Sequence, residues 1–131
     1  MKKKTRNITV NNEKYAYWYS LTEEGTLIFV SPAGDKTIRA CFRFENDPNR
    51  LRMSSPWFWR MSGIKAKKNQ QEVEIDILMP KFIAQLIQVS IEEYPNLFQE
   101  RNRKSDINNA YSLLAKLGYE EIEPIWKAAL W

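Results

Sequence analysis

The sequence predicts an α+β fold: an antiparallel sheet of about five strands in the N-terminal two thirds, followed by two or three helices packed on one face. Three observations support this. Apolar and polar residues alternate early in the chain, the pattern changes from strand to helix at Pro80, and spacings of three and four residues follow it. A chain of 131 residues typically forms one domain. We therefore expect a single domain over 1–131, with a β-rich region over 7–78, a long irregular segment over 46–71 and a helical region over 80–131.

Four strand candidates precede residue 46, at spacings of about ten residues, which is typical of an antiparallel meander. Short turns separate them: Asn11 and Asn12 form the first, and Pro32 and Gly34 lie in the last. The predicted strands cover 8–10, 14–21, 26–30 and 36–45.

The fifth strand candidate carries the clearest alternation in the chain. Its apolar side chains Val73, Ile75 and Ile77 point one way, and its acidic side chains Glu72, Glu74 and Asp76 point the other. A period of two is typical of a half-buried strand with one face in water.

A helix is predicted to begin at Pro80, where the missing N–H of proline costs nothing, and to end before Pro95. Spacings of three and four residues then form one apolar stripe, made of Phe82, Ile83, Leu86, Ile87, Ile91 and Tyr94. A second helix is expected around the stripe Ile107, Ala110, Tyr111 and Leu114, capped by Ser105 or Asp106. Pro124 is expected to open a last short helix.

The net charge of +4 is unevenly distributed. Residues 36–70 hold nine Lys/Arg and two Asp/Glu, net +7, whereas residues 71–131 hold six and ten, net −4. This asymmetry indicates either an anionic partner or two halves that face each other within one fold. In the second case, Arg39 and Arg43 would pair with Glu74 and Asp76 on a neighbouring strand.

No motif indicates catalysis, a cofactor or a metal. The chain has no histidine, and its four glycines are scattered rather than grouped in a phosphate-binding loop. Cys41 lies between two arginines, which would lower the pKa of a thiol, but we interpret it as a small residue packed in a sheet. The acidic row of the fifth strand leaves one enzymatic alternative, a divergent metal-dependent hydrolase.

One segment combines aromatic and basic side chains in a pattern typical of binding surfaces. Such residues track phosphates and stack on bases, and tryptophan and arginine are also enriched at protein–protein hot spots. A structural alternative is that the tryptophans plug the end of the sheet. The candidate binding residues are Arg50, Arg52, Trp57, Phe58, Trp59, Arg60, Lys65, Lys67 and Lys68.

The chain is expected to be cytoplasmic and to have no membrane contact. Met1 is followed by three lysines but by no apolar signal-peptide core, and no apolar run approaches the roughly 18 residues of a membrane span. Cys41 is the only cysteine, so no intramolecular disulfide can form.

The stretch ITVNNEKYAYWYSL, together with the later turn into PKFIAQLIQ, resembles a loose class of small bacterial proteins with no established activity. The resemblance implies a β-meander followed by helices and assigns no site residues. From the residues themselves we expect a non-enzymatic binding protein, an accessory or immunity-type protein that blocks a partner protein. The alternatives are a nucleic-acid-binding module that uses segment 50–68, and the hydrolase named above. The oligomeric state stays open.

Overall fold

The computed structural model describes residues 5–22, 25–45 and 59–128. Within these ranges the chain forms eight strands and two helices, in an order that places strands on both sides of each helix. The elements are β1 (Arg6–Val10), β2 (Glu13–Thr22), β3 (Gly25–Pro32), β4 (Arg39–Glu45), β5 (Trp59–Lys68), β6 (Gln71–Ile75), α1 (Pro80–Glu93), β7 (Lys104–Ile107), α2 (Tyr111–Lys116) and β8 (Glu120–Ala128).

The strands form two sheets, with a five-stranded order β1-β2-β3-β4-β7 and a three-stranded order β6-β5-β8. The α+β class is confirmed, but the expectation of one purely antiparallel sheet is wrong, because β7 pairs with β4 in parallel. A parallel pair needs a long crossover connection. Here the chain between β4 and β7 runs through β5, β6 and α1 before it returns to the first sheet.

Two-residue turns close two of the hairpins. Asn11 and Asn12 have φ values of 51° and 67° between β1 and β2, and Asn69 and Gln70 have 54° and 65° between β5 and β6. Positive φ at both central residues matches the twist of the flanking antiparallel strands. The first turn was predicted from the asparagine pair, whereas the second carries only one residue type that favours this conformation.

One common core is formed by one face of the five-stranded sheet, the helices and the apolar side chains of the three-stranded sheet. Phe44 on β4 shows this packing directly, since its ring centroid lies 6.2 Å from that of Phe82 on α1 and 5.3 Å from that of Tyr111 on α2. Tyr15 on β2 meets Phe98 at 5.2 Å on the same side. The largest fully buried apolar side chains of the sheet are Tyr17, Ile28, Val30, Phe42 and Phe44.

The organisation predicted for 72–94 is confirmed in outline. Ile75 and Ile77 are buried, and the three acidic side chains of the row are exposed. Pro80 occupies the first turn of α1, where its missing N–H leaves no helical hydrogen bond unmade. The buried stripe of α1 is Phe82, Ile83, Leu86, Ile87, Val89 and Ser90. Of the predicted members, Ile91 is half-buried and Tyr94, which follows the helix, is exposed.

The C-terminal region differs from the prediction. Pro124 opens no helix; it lies in β8, opposite Ile64. β8 is an edge strand, where a proline is tolerated because one side of the strand needs no hydrogen-bond donors. Ser105 and Asp106 cap no helix either, because β4 pairs residues 104–107 as β7, and α2 begins only at Tyr111.

The segment predicted to be irregular over 46–71 is ordered where it is described. Residues 46–58 lie outside the described ranges, and the rest enters β5 and the hairpin to β6. Gly63 allows the close approach of these strands, because a Cβ atom there would lie 2.8 Å from the carbonyl oxygen of Ile75. No helix within the described ranges is long and apolar enough to cross a membrane.

Candidate partner-binding face

The structure places only part of the predicted aromatic–basic segment. Trp59 and Arg60 belong to β5, where their backbones pair with Ala128 and Lys127, and three lysines follow on the same strand. The remaining predicted residues, Arg50, Arg52, Trp57 and Phe58, lie outside the described residues.

The lysines of this segment lie beside acidic or aromatic side chains. Lys65 forms an ion pair with Glu72 on β6, and the Nζ of Lys67 lies 2.9 Å from a carboxylate oxygen of Glu121 on β8. The same interaction raises the pKa of Lys67, through the hydrogen bond first and the charge of Glu121 second. For these residues, the basic and acidic parts of the sequence do face each other.

The prediction that Arg39 and Arg43 pair with the acidic row of the fifth predicted strand is wrong. β4 has β3 and β7 as its neighbours, so Arg43 pairs with Asp106 at 3.4 Å instead. Glu74 lies opposite Lys65 on β5. The alternation of the two strands was predicted correctly, but their partners were not, because strand order depends on contacts between residues far apart in sequence.

A groove of about 560 Å³ runs along the charged face of the three-stranded sheet, lined by Lys65, Lys67, Glu72, Glu121 and Glu123 among others. Positive and negative side chains alternate across it, so it favours neither sign of ligand charge. Within the described ranges, no group of three or more Cys, Asp or Glu side chains is arranged to hold a metal ion.

A second surface, the outer face of the five-stranded sheet, combines aromatic and cationic side chains. We call it the open face; it lies opposite the face on which the helices pack. Successive residues of a strand point to opposite sides, and the register places Trp18, Phe29, Cys41 and Asp106 in one row across four strands. Its principal side chains are Ala16, Trp18, Leu27, Phe29, Ser31, Arg39, Cys41 and Arg43.

A short stack of planar groups runs across the open face. The rings of Trp18 and Phe29 lie 5.5 Å apart with an interplanar angle of 12°, and the guanidinium carbon of Arg39 lies 5.3 Å from the centroid of Phe29. All three side chains are partly exposed. Contacts of an arginine with an aromatic ring leave the positive charge available while they fix its position.

The charge of the open face is positive. Among the side chains that the structure describes, the strands of this face carry four cations, Lys14, Arg39, Arg43 and Lys104, and one carboxylate, that of Asp106. Lys36 lies in the loop between β3 and β4, is exposed, and forms no ion pair with any described residue. A sheet surface of this kind attracts anions and offers planar groups to them.

Cys41 lies at the centre of the open face but is only 2% exposed. Burial raises the pKa of its thiol, and the opposing effects of Arg43 and Arg39 are smaller. The thiol is therefore protonated at neutral pH and is a poor nucleophile. This environment agrees with the interpretation of Cys41 as a packed residue of the sheet.

The sequence contained part of the signal for this face. The alternation over 14–21 placed Trp18 on the opposite side from the tyrosines, and that over 36–45 placed Arg39 and Arg43 together. What it lacked was the register that brings Phe29 between Trp18 and Arg39.

Comparison of the chain with protein-family models, with curated proteins and with solved structures finds no match.

Proposed function

We propose that this protein is a non-enzymatic binding protein that contacts an anionic partner through the open face. The observation that supports this most is the stack of Trp18, Phe29 and Arg39 on a positively charged sheet surface. The open face combines partly exposed aromatic side chains with positive charge, whereas the lysines of the groove on the other sheet are paired with carboxylates.

Among anionic partners, single-stranded nucleic acid fits the arrangement best. Proteins that bind single strands combine cationic side chains, which follow the phosphates, with aromatic side chains on which bases stack. Trp18 and Phe29 lie on adjacent strands, and Arg39 and Arg43 are the first and fifth residues of β4, the strand next to that of Phe29. Both kinds of contact are thus available to one extended chain.

A partner protein with an acidic surface is the second candidate, and a protein partner is expected of an immunity-type protein. Trp18 and Arg39 are of the residue types that dominate protein–protein hot spots, and both are partly exposed on the same face of the sheet. An acidic protein surface would meet the same charges. The two candidates predict different ligand preferences. A nucleic-acid-binding protein should bind an oligonucleotide more tightly than an acidic polypeptide of equal charge, and a protein-binding module should show the reverse preference.

Fluorescence anisotropy with a labelled oligothymidylate of about 12 nucleotides tests the proposal. The matched variants are Arg39→Gln/Arg43→Gln on the open face and Lys65→Gln/Lys67→Gln on the three-stranded sheet, since each removes two positive charges. We expect the first to weaken binding by roughly tenfold or more and to reduce the salt dependence by about two phosphate contacts. The second should change affinity much less.

Equal losses in the two variants would assign the binding to net charge and contradict a role of the open face. Absence of binding at about 50 mM salt would overturn the nucleic-acid proposal. Tighter binding of a poly-glutamate chain of matched charge, lost in the Arg39→Gln/Arg43→Gln variant, would favour the acidic protein partner instead.

A further inference from the structure

Beside the aromatic stack, the open face contains a recess of about 270 Å³, lined by Thr5, Ala16, Trp18, Ser31 and Lys36. Ala16 and Ser31 face each other across β2 and β3 and form its floor. Both are buried and small, so the floor lies below the level of the neighbouring indole. The recess therefore results from two short side chains placed in register beside a large one.

The floor of the recess offers little polarity to a ligand. Ala16 contributes only a methyl group, and the hydroxyl of Ser31 donates a hydrogen bond to the carbonyl oxygen of Ile38, with that of Asp35 at 3.4 Å. That hydroxyl is already satisfied within the protein, so binding here requires no specific donor or acceptor pattern. Such a site discriminates by shape and stacking more than by hydrogen bonds.

The wall of the recess is held in place before a ligand arrives. The indole of Trp18 stacks on Phe29, which in turn contacts Arg39. A side chain that is already fixed loses little conformational entropy on binding, which favours affinity. Trp18 can thus act as a stacking platform for a planar group in the recess.

The rim of the recess carries a positive charge from an ordered loop. Asp35 accepts hydrogen bonds from the backbone N–H of Thr37, at 3.0 Å, and from its hydroxyl, and these bonds lower the pKa of Asp35. Thr37 is tied in turn to the backbone N–H of Asn102 at 3.0 Å. Lys36 lies between these anchored residues and is itself exposed.

We propose that this recess seats a single base of a single-stranded nucleic acid, stacked against Trp18, with an adjacent phosphate at Lys36. The proposal rests on the function proposed above and identifies where base recognition takes place. Pockets for drug-sized ligands usually have volumes of about 300–1,000 Å³. The recess, at about 270 Å³, is slightly smaller than these pockets and suits a single ring system. The apolar floor suits the base, and the cationic rim suits the phosphate next to it.

The test compares two oligomers of equal length and equal charge, about 12 units long: an oligothymidylate and an abasic deoxyribose-phosphate chain. The wild-type protein should bind the oligothymidylate more tightly, by about tenfold for one stacked base. Ala16→Leu, which fills the recess, should remove this preference. Thr9→Leu, an exposed position on β1 away from the recess, is the matched control.

Because Ala16 is buried, a second variant keeps the test valid if Ala16→Leu fails to fold. Trp18→Leu keeps an apolar side chain at the same position and removes the platform, so it should also abolish the preference. Thermal unfolding of each variant establishes that the protein is folded.

Each outcome decides between the two proposals. Equal wild-type affinity for both oligomers, or a preference that survives in both Ala16→Leu and Trp18→Leu, would overturn the base recess and leave the anion-binding face standing. Binding of neither oligomer would overturn the proposed function itself. A preference for an acidic peptide with an aromatic residue over the oligothymidylate would assign the recess to a protein side chain.

Discussion

The open face of the five-stranded sheet and the charged face of the three-stranded sheet both carry cationic side chains, but they use them differently. On the three-stranded sheet, Lys65 and Lys67 meet carboxylates from the strands on either side. On the open face, Arg39 lies against an aromatic ring, and Lys36 has no carboxylate partner among the described residues. A basic run in a sequence therefore indicates a binding surface only when strand pairing leaves its cations without carboxylate partners.

The two faces also differ in what strand pairing supplies. In the three-stranded sheet, β5 is central and basic, and both of its neighbours are acidic, so the charges compensate across the strands. In the five-stranded sheet, β4 lies between the apolar β3 and the short β7. Among the described side chains, Asp106 of β7 is the one carboxylate that pairs with an arginine of β4, at Arg43.

The largest effect expected from this comparison concerns what holds the three-stranded sheet. Ile64 of β5 is fully buried in the common core. We expect Ile64→Ala to lower the free energy of unfolding by about 2–5 kcal/mol, through lost apolar contact and the cavity left behind. Urea unfolding followed by far-UV circular dichroism measures it.

Lys65→Ala, one position along the same strand, is the control, since its side chain is exposed and paired. It should cost much less than Ile64→Ala. If Ile64→Ala lowered the free energy of unfolding no more than Lys65→Ala does, the charged face would stabilise the three-stranded sheet as much as its apolar face. That result would contradict the view that the paired charges of this sheet contribute little to its stability.

Several elements of the fold were predictable because their signals are local. The alternation of Val73, Ile75 and Ile77 predicted a strand with one wet face, and Pro80 predicted the start of a helix. Both depend on neighbouring residues alone. The Asn11-Asn12 turn belongs to the same class, because its backbone conformation is set within two residues.

The elements that were mispredicted depend on distant partners. Residues 104–107 and 120–128 become strands because β4 and β5 offer them hydrogen-bonding edges, and this pairing outweighs the helical spacing around Ile107 and Pro124. The open face was missed for the same reason. Trp18, Phe29 and Arg39 lie on three strands, and only the register brings them together.

A smaller effect is expected from the ion pair between Lys65 and Glu72. Both side chains are about half exposed, and exposed pairs contribute roughly 0.2–1 kcal/mol. A double-mutant cycle with Lys65→Gln and Glu72→Gln should give a coupling energy in that range. The oligonucleotide affinity of either variant should stay close to that of the wild type, since these charges lie off the open face.

A coupling energy near zero would leave the comparison intact, because the pair would then only align the strands. A large gain in oligonucleotide binding on Glu72→Gln would contradict it. Such a gain would show that the carboxylate masks a phosphate-binding lysine, and that the three-stranded sheet differs from the open face in degree alone.

The smallest expected effect concerns the pH dependence of the pair between Lys67 and Glu121. Glu121 raises the pKa of Lys67 in the folded protein above its ordinary value. The stabilisation is therefore complete below the ordinary lysine pKa of about 10.4 and is lost as the pH rises through the folded value. The stability difference between wild type and Lys67→Gln should be constant up to about pH 9.5 and shrink above it.

In a Glu121→Gln background this alkaline decrease should disappear, because the carboxylate that raises the pKa is gone. If the decrease persisted there, another group would hold the charge of Lys67, and the pairing of basic and acidic strands would not explain why Lys65 and Lys67 lie beside carboxylates.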